Sequence, residues 1–236
     1  MMFFPPLQTR CRTHEWMDDP AADPELLQKS LRFIRRVNFF LGYTRTTLRY
    51  LNQFSQRWNR GETIHILDIA TGSADLPRAI LAWADRRGWN VRVTGIDLLE
   101  KTARQARQEA ADPRITIVCG DAMNLPFENG AFDYAITSLF LHHLDTPDAV
   151  TVLASIARVA RRGIIAGDLL RNRRAYAWIK FWTLFANPMV KHDAPASVAQ
   201  AFTPAEAMAM KADAGLAFAG YRRHFGHRFV IAGEKD

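Results

Sequence analysis

The sequence predicts an α/β fold whose centre is an open, mostly parallel β-sheet, and three observations support this. The stretch ILDIATGSADLP at 66–77 joins an apolar run, a turn of small residues and a helical pattern. Strand-like and helix-like patterns then alternate as far as Asp168. Each strand-like run also ends in polar or small residues, as strands of ligand-binding parallel sheets do. Together these features predict a nucleotide-binding type of sheet.

The first strand and its turn are the clearest part of this pattern. The apolar run from Ile64 to Ile69 predicts a buried strand. Residues 70–74 are small, which suits a backbone that turns sharply and approaches a ligand. Asp75 is expected to cap the following helix, whose apolar stripe begins at Leu76. A strand, a small-residue turn and a helix make half of a nucleotide-binding unit.

Composition and charge narrow the possible functions. The chain has 236 residues, 48% of them hydrophobic, which is enough for a sizeable core. Its formal net charge is +7, but the Lys and Arg residues are scattered, so we expect no nucleic-acid partner. Cys11 and Cys119 lie far apart, which favours a reduced, cytoplasmic protein. The sequence predicts no metal site, signal peptide or transmembrane segment.

The N-terminal part precedes the predicted sheet. Residues 1–22 have little periodicity and are interpreted as an extended arm. Apolar residues from Pro24 onward, and again after Gly42, recur at helical spacing. These two helices are either ordinary packing or a cap over an active site. The predicted division is an arm and helical cap at 1–60 and an α/β domain at 61–236, with a cap insertion at 169–202.

Three further strands are predicted at 91–97, 115–119 and 132–138. Asp97 lies about twenty residues beyond the glycine turn, where doubly wound folds present an acid to ribose hydroxyls. The alternative is that Asp97 only caps the helix predicted at 99–110. Ligands bind beyond the carboxyl ends of parallel strands, so the polar residues at those ends should meet in one crevice. These residues are Asp68, Asp97, Asp121 and Ser138.

A fifth strand is predicted at 163–167, after a helix from about Asp148 to Arg161. The aromatic segment 176–185 that follows has three interpretations: a core helix, a hydrophobic substrate pocket or an amphipathic membrane contact. A polar loop is expected around His192 and Asp193.

The last elements are a helix and a hairpin. Thr203 and Glu206 have the spacing of a capping box, which predicts a helix reaching to about Ala214. The strand-like runs 218–224 and 228–232 lie on either side of Gly226. They suit a hairpin at the edge of the sheet.

Four segments together resemble the class I S-adenosylmethionine-dependent methyltransferases of the small-molecule type. ILDIATGSADLP is similar to their first motif and GID at 95–97 to their ribose-binding acid. GDAMNLPFENGAFDYAITS is similar to the adenine loop and fourth strand, and LHHL at 141–144 to the segment after it. The first motif departs from the three-glycine form, with Ala70 and Ala74 at two glycine positions. The resemblance implies a Rossmann-like, seven-stranded sheet with an antiparallel terminal strand.

The resemblance also implies S-adenosylmethionine as cofactor and assigns its contacts. Asp68 and the backbone of 70–72 would lie near the methionine part. Asp97 would hold the ribose, and Asp121 with Ala122 would meet the adenine. The full predicted cofactor site is Asp68, Ala70, Thr71, Gly72, Asp75, Asp97, Leu98, Asp121, Ala122 and Ser138.

A histidine pair suggests the chemistry. DIATGSADLP is distantly similar to the ubiquinone and menaquinone C-methyltransferase family, but His142 and His143 stand where that family has an Arg-Asn pair. A phenol with a pKa near 10 needs a base to lose its proton during methyl transfer. His142 is the first candidate for that base and His143 the second. His192, oriented by Asp193, is the third.

The expected activity is O-methylation of a hydrophobic phenolic or hydroxylated small molecule. Carbon methylation of a quinone or alkylated aromatic ring is the alternative within the same class. An RNA methyltransferase is disfavoured because no Asn-Pro-Pro-Tyr run is present. A noncatalytic binding module would have lost its affinity for the cofactor. The acceptor is expected to be aromatic or lipid-like, a peripheral membrane contact stays open, and the sequence leaves the oligomeric state undecided.

Overall fold

The computed structural model describes residues 7–19, 21–40, 42–225 and 227–235. Its centre is a seven-stranded sheet in the order β3-β2-β1-β4-β5-β7-β6. Strands β1 to β5 are parallel, and β7 is antiparallel to both β5 and β6. The predicted α/β, Rossmann-like sheet is therefore confirmed. The strands are β1 Thr63–Ile69, β2 Asn90–Asp97, β3 Ile115–Cys119, β4 Phe132–Ser138, β5 Ala160–Leu169, β6 Gly220–His224 and β7 Arg228–Glu234.

The described part of the chain contains eight α-helices. They are α1 Pro24–Phe40, α2 Tyr43–Phe54, α3 Asp75–Arg87, α4 Glu100–Glu109, α5 Thr146–Val159, α6 Arg173–Trp182, α7 Pro188–Gln200 and α8 Pro204–Asp213. The capping box is confirmed, because the Thr203 and Glu206 side chains each accept a hydrogen bond from the other's backbone. The hairpin strands are confirmed, whereas Gly226, the predicted centre of the turn, lies outside the described residues.

Two local predictions were wrong. Asp75 does not cap α3, because Ala74 occupies the N-cap position and Asp75 is the first helical residue, paired with Arg78 at 2.8 Å. The polar loop expected around His192 and Asp193 is instead part of α7, which contains Pro195 in its interior. Helix α7 has buried residues on several sides, so it lacks the single apolar stripe by which a surface helix is recognised.

The core lies on both faces of the sheet. On one face α5 and α8 pack against β1, β4 and β5. On the other face α2 and α3 pack against β1, β2 and β4. Phe54 of α2 stacks on Tyr134 of β4, and Trp58 Nε1 donates a 2.8 Å hydrogen bond to the Tyr134 hydroxyl. Helix α2 is therefore part of the central core.

Candidate active site

The loop after β1 winds through three residues with positive φ. These are Ala70 at 57°, Gly72 at 55° and Ala74 at 56°. A side chain in this left-handed region costs on the order of 1 kcal/mol, so the two alanines carry backbone strain. A Cβ added at Gly72 would meet nothing within 4 Å, so this turn borders open space. The three motif positions therefore require a left-handed backbone conformation as well as a small side chain.

Asp68 lies beneath this turn at the end of β1. It is buried, and the Thr71 hydroxyl donates a 2.6 Å hydrogen bond to its Oδ2. Its Oδ1 has no hydrogen-bond partner among the described residues. Burial, reinforced by the Asp97 and Asp75 carboxylates, raises the pKa of Asp68 to about 7. A buried acceptor of this kind at the cavity wall fits a donor group on a bound cofactor.

Asp97 connects the end of β2 to the same turn. Its Oδ2 accepts a 3.0 Å hydrogen bond from the Gly72 N–H, and its Oδ1 accepts one from the Leu99 N–H at 3.2 Å. Leu99, not Asp97, is the N-cap residue of α4, so helix capping is not the role of Asp97. The carboxylate instead braces the glycine turn.

The end of β3 contributes local structure. Asp121 accepts a hydrogen bond from the Met123 N–H at 2.8 Å and caps a short 3-10 turn. Ala122 is buried behind it, whereas Leu98 is 65% exposed. A cavity opens at the carboxyl ends of β1, β4 and β5, and it is not lined by Asp97, Leu98, Asp121 or Ala122.

This cavity at the carboxyl ends of the strands has a volume of about 460 Å³, and its walls are mostly apolar. Its volume falls in the range of small-molecule sites. Eight of the predicted site residues line this cavity, which brings the glycine turn after β1 and the histidine pair to one space. These eight are Asp68, Ala70, Thr71, Gly72, Asp75, Ser138, His142 and His143.

Asp168 at the end of β5 fixes His142. The carboxylate accepts from the His142 backbone N–H at 2.8 Å and lies 2.6 Å from its Nδ1. Burial opposes the ionisation of Asp168, but the charge and hydrogen bonds of His142 hold its pKa below the ordinary value. An ionised carboxylate can only accept, so the Nδ1–H of His142 is the donor in this contact.

Glu15, from the N-terminal arm, lies on the other side of the same imidazole. Its Oε1 is 3.9 Å from His142 Nε2 and accepts hydrogen bonds from Ser197 and Gln200. The His143 ring lies 4.3 Å from the His142 ring. Glu15, His142 and His143 each offer a ligand atom within 4.8 Å of the others, so the set could hold a cation. That the protein uses no metal therefore stays a prediction.

Comparison with known proteins identifies the type of domain. Residues 66–163 match a family model described as a methyltransferase domain. The chain carries a methyltransferase domain over these residues. Demethylmenaquinone methyltransferase of Staphylococcus epidermidis is 35% identical over 98 residues, covering 41% of this chain and 39% of the relative. The predicted distant relationship to that family is thus confirmed, as are an enzyme domain and S-adenosylmethionine as its cofactor.

Other similar proteins extend the comparison. The 27-O-demethylrifamycin SV methyltransferase of Amycolatopsis mediterranei is 35% identical over 111 residues, which cover 44% of this chain and 38% of the relative. The chain therefore spans less than half the length of these curated relatives. The crystal structure of the plantazolicin methyltransferase BpumL has a TM-score of 0.69 and 13% identity, covering 94% of this chain and 93% of that one. At that identity the likeness shows the fold.

His192 lies apart from the cavity of the methyltransferase domain. Its ring stacks on Trp16 at 4.4 Å, and its Nδ1 lies 2.7 Å from Asp193 Oδ1. The Asp193 carboxylate also accepts from the backbone N–H groups of Trp16 and Met17. The structure brings together the predicted His192–Asp193 pair, but the pair fastens the arm and His192 does not line the cavity.

Four residues of the site were not predicted from the sequence: Glu15, Tyr43 and Arg228 line the cavity, and Asp168 holds His142 without lining it. Asp168 had a usable signal, because it follows a strand as Asp97 does. Tyr43, Arg228 and Glu15 gave none, since each reaches the cavity through contacts distant in sequence. Burial of Arg228 lowers the pKa of its guanidinium to about 10, and it lies 5.2 Å from the Tyr43 ring.

The aromatic segment 176–185 lies partly at the cavity and partly in solvent. Ala175, Trp178 and Ile179 of α6 line the cavity. Phe181, Trp182, Leu184 and Phe185 are exposed. The core-helix interpretation therefore describes only one side of this segment. Among the described residues, none of the helices combines the length and apolar character needed to cross a bilayer.

Proposed function

We propose that the protein methylates an oxygen of a hydrophobic phenolic or hydroxylated small molecule, with His142 as general base. The main support is the buried Asp168–His142 pair beside the cavity, in which the carboxylate oxygen lies 2.6 Å from Nδ1. The mostly apolar wall, which includes Trp178 and Ile179, suits an aromatic or lipid-like acceptor.

When bound, S-adenosylmethionine supplies a methyl group on a positively charged sulfur. The residues that would hold it are Asp68, the 70–72 turn and Asp97. The acceptor oxygen would receive this methyl group in place of its proton, with S-adenosylhomocysteine as the second product, and His142 Nε2 would accept that proton. Asp168 keeps the imidazole in the Nδ1–H tautomer and stabilises the positive charge that develops on the ring. Holding the reactants in line contributes several kcal/mol by proximity.

A second candidate is carbon methylation of an aromatic ring. The 35% identity to a demethylmenaquinone methyltransferase favours it. The histidine pair favours the oxygen acceptor, because a hydroxyl must lose a proton to a base during the transfer. The 27-O-demethylrifamycin SV methyltransferase, equally identical over its matched stretch, supports the same choice. We keep the cytoplasm as the proposed location, consistent with Cys11 and Cys119 as free thiols.

The test combines cofactor binding with product analysis. Calorimetry with S-adenosylhomocysteine should detect binding that the Asp97→Ala substitution weakens. The purified protein is then incubated with labelled S-adenosylmethionine and a panel of phenols, hydroxyquinones and fatty acids, and the methyl position is assigned by NMR. We expect an O-methyl product that His142→Ala reduces by about 10²- to 10⁴-fold, the usual contribution of a general base. A ring-carbon product would favour the second candidate, and absence of cofactor binding would contradict an enzyme.

A further inference from the structure

The connection between α6 and α7 exposes an unusual amount of apolar surface. Phe181 is 70% exposed, Trp182 59%, Leu184 53% and Phe185 98%. These four residues, here called the aromatic tip, lie within five positions of one another. Elsewhere in the described chain, large exposed apolar residues are isolated in sequence, as Leu98 and Phe225 are. A contiguous exposed patch of large apolar groups marks an interaction surface.

The segment that contains the aromatic tip carries charges of one sign along the sequence. Between Asp168 and Asp193 the sequence contains no Asp or Glu. The same stretch carries five cations, of which Arg171 is buried in an ion pair with Glu206 at 2.7 Å. The other four are Arg173, Arg174, Lys180 and Lys191. Aromatic residues flanked by cations match the interface of an anionic bilayer, where rings enter the head-group region and cations meet lipid phosphates.

The aromatic tip is also continuous with the cavity. Trp182 of the tip lies 5.6 Å from Trp178, between ring centroids, and Trp178 lines the cavity. Val190 and Ala194 of α7 line it as well. Helices α6 and α7 therefore reach from the exposed tip to the space where the histidine pair lies.

We propose that the aromatic tip docks the protein on an anionic membrane surface. Phe181, Trp182, Leu184 and Phe185 enter the interface, and the surrounding cations contact lipid head groups. Docking orients α6 and α7 so that a lipid-like acceptor passes from the bilayer into the cavity. Only this last step rests on the proposed methyl transfer, because membrane docking itself requires neither cofactor nor acceptor.

Vesicle flotation of the full chain tests the docking directly. We expect binding to vesicles of phosphatidylglycerol and phosphatidylcholine, weaker binding to pure phosphatidylcholine, and loss of binding as salt is raised. A Trp182→Ser, Phe185→Ser variant should lower vesicle affinity by roughly tenfold or more. The matched control is Phe225→Ser, which removes an 83% exposed aromatic outside the tip and should leave affinity unchanged.

The charge contribution has its own variant. Arg173→Gln with Lys191→Gln should lower affinity for the anionic vesicles by about fivefold for each cation, with little effect on pure phosphatidylcholine. The circular dichroism of every variant must match the wild type, so that a loss of binding reports the surface. Equal affinity of wild type and tip variant for anionic vesicles would overturn the proposal. A wild-type dimer in sedimentation that the tip variant makes monomeric would also overturn it, in favour of a second copy.

The acceptor step is tested separately. A short-chain, water-soluble acceptor should be methylated equally by the wild type and the Phe185→Ser variant. A long-chain acceptor embedded in the anionic vesicles should be methylated more slowly by the variant. Equal rates on the embedded acceptor would overturn delivery from the bilayer. Failure of methyl transfer to both acceptors by the wild type would instead contradict the proposed function, leaving the flotation result intact.

Discussion

Asp168 holds both the backbone and the ring of His142, and this double contact makes it the most informative side chain to alter. Its Oδ2 accepts from the backbone N–H at 2.8 Å and its Oδ1 lies 2.6 Å from Nδ1. Asp168→Asn keeps the size but presents an NH₂ group to one of these partners, favouring the wrong tautomer. We expect kcat to fall by about 10²- to 10⁴-fold, with the affinity for S-adenosylhomocysteine unchanged. Initial-rate assays measure kcat, and calorimetry measures the affinity for S-adenosylhomocysteine.

His192 provides the matched control for this prediction. It also has a carboxylate partner at 2.7 Å, but it stacks on Trp16 and does not line the cavity. His192→Ala should therefore change kcat by less than about threefold. A loss of kcat in His192→Ala comparable to that in Asp168→Asn would move the base from His142 to His192.

Asp68 should make cofactor binding depend on pH. Burial raises the pKa of Asp68 to about 7. The carboxyl group therefore becomes protonated as the pH falls below 7. The ionised form attracts the ammonium group of a bound cofactor, and binding should then lower this pKa and release roughly half a proton at pH 7. Affinity for S-adenosylhomocysteine should fall by up to about tenfold per pH unit below 7. Calorimetry in buffers of different ionisation enthalpy measures the proton release.

Two substitutions check the source of that pH dependence. Asp68→Asn removes the titrating group and should abolish the proton release while weakening binding. Asp112→Asn changes a surface carboxyl whose hydrogen bonds from Arg114 lower its pKa to about 2, so it does not titrate in this range. Proton release that persists in Asp68→Asn would assign it to another group.

Strand β5 and helix α2 meet where one glycine is required. A Cβ on Gly167 would overlap the hydroxyl and ring of Tyr43, which lines the cavity and donates a hydrogen bond to the Thr137 carbonyl at 3.3 Å. Gly167→Ala should displace Tyr43 and lower the free energy of unfolding by about 1–3 kcal/mol. Urea denaturation measures this change.

The control for that substitution is another strand glycine. A Cβ on Gly220 of β6 would lie 3.8 Å from the Ala232 carbonyl, an ordinary contact. Gly220→Ala should therefore change the free energy of unfolding by less than about 0.5 kcal/mol. The cost of Gly167→Ala should also shrink in a Tyr43→Phe background, which lacks the overlapping hydroxyl. The same cost in both backgrounds would contradict a Tyr43 clash.

Helices and strands could be predicted from the sequence where the buried residues form one face of a helix or fill a whole strand. Strand β4, Phe132–Ser138, matched its predicted bounds because it is a short apolar run after turn residues. Helix α7 could not be recognised, because its buried residues include Asp193 and Pro195, which are typical of loops. Its stability comes from packing against α1, α6 and the arm, and such tertiary contacts leave no periodic signal in the sequence.

The site was predictable to the extent that the sheet assembles it. Residues at the ends of parallel strands share one edge, which is why the sequence alone placed Asp68 and His142 together. Glu15 could not be placed in this way, because its position beside His142 depends on an arm held by Asp193, which lies 177 residues from Trp16. The assignment of cofactor and catalytic roles to individual residues stays a prediction.

The whole chain should unfold as one unit in spite of the predicted boundary at residue 60. Leu51, Phe54 and Trp58 are buried in the same cluster as Ile64 and Ile66 of β1. Removing residues 1–60 would expose that cluster, whereas removing 1–41 keeps α2. The longer deletion should therefore abolish cooperative unfolding, and the shorter should retain it with weaker acceptor binding, because the cavity loses Glu15 and Met17. Calorimetric melting of both deletions measures this, and a cooperative transition in the longer one would support residue 60 as a domain boundary.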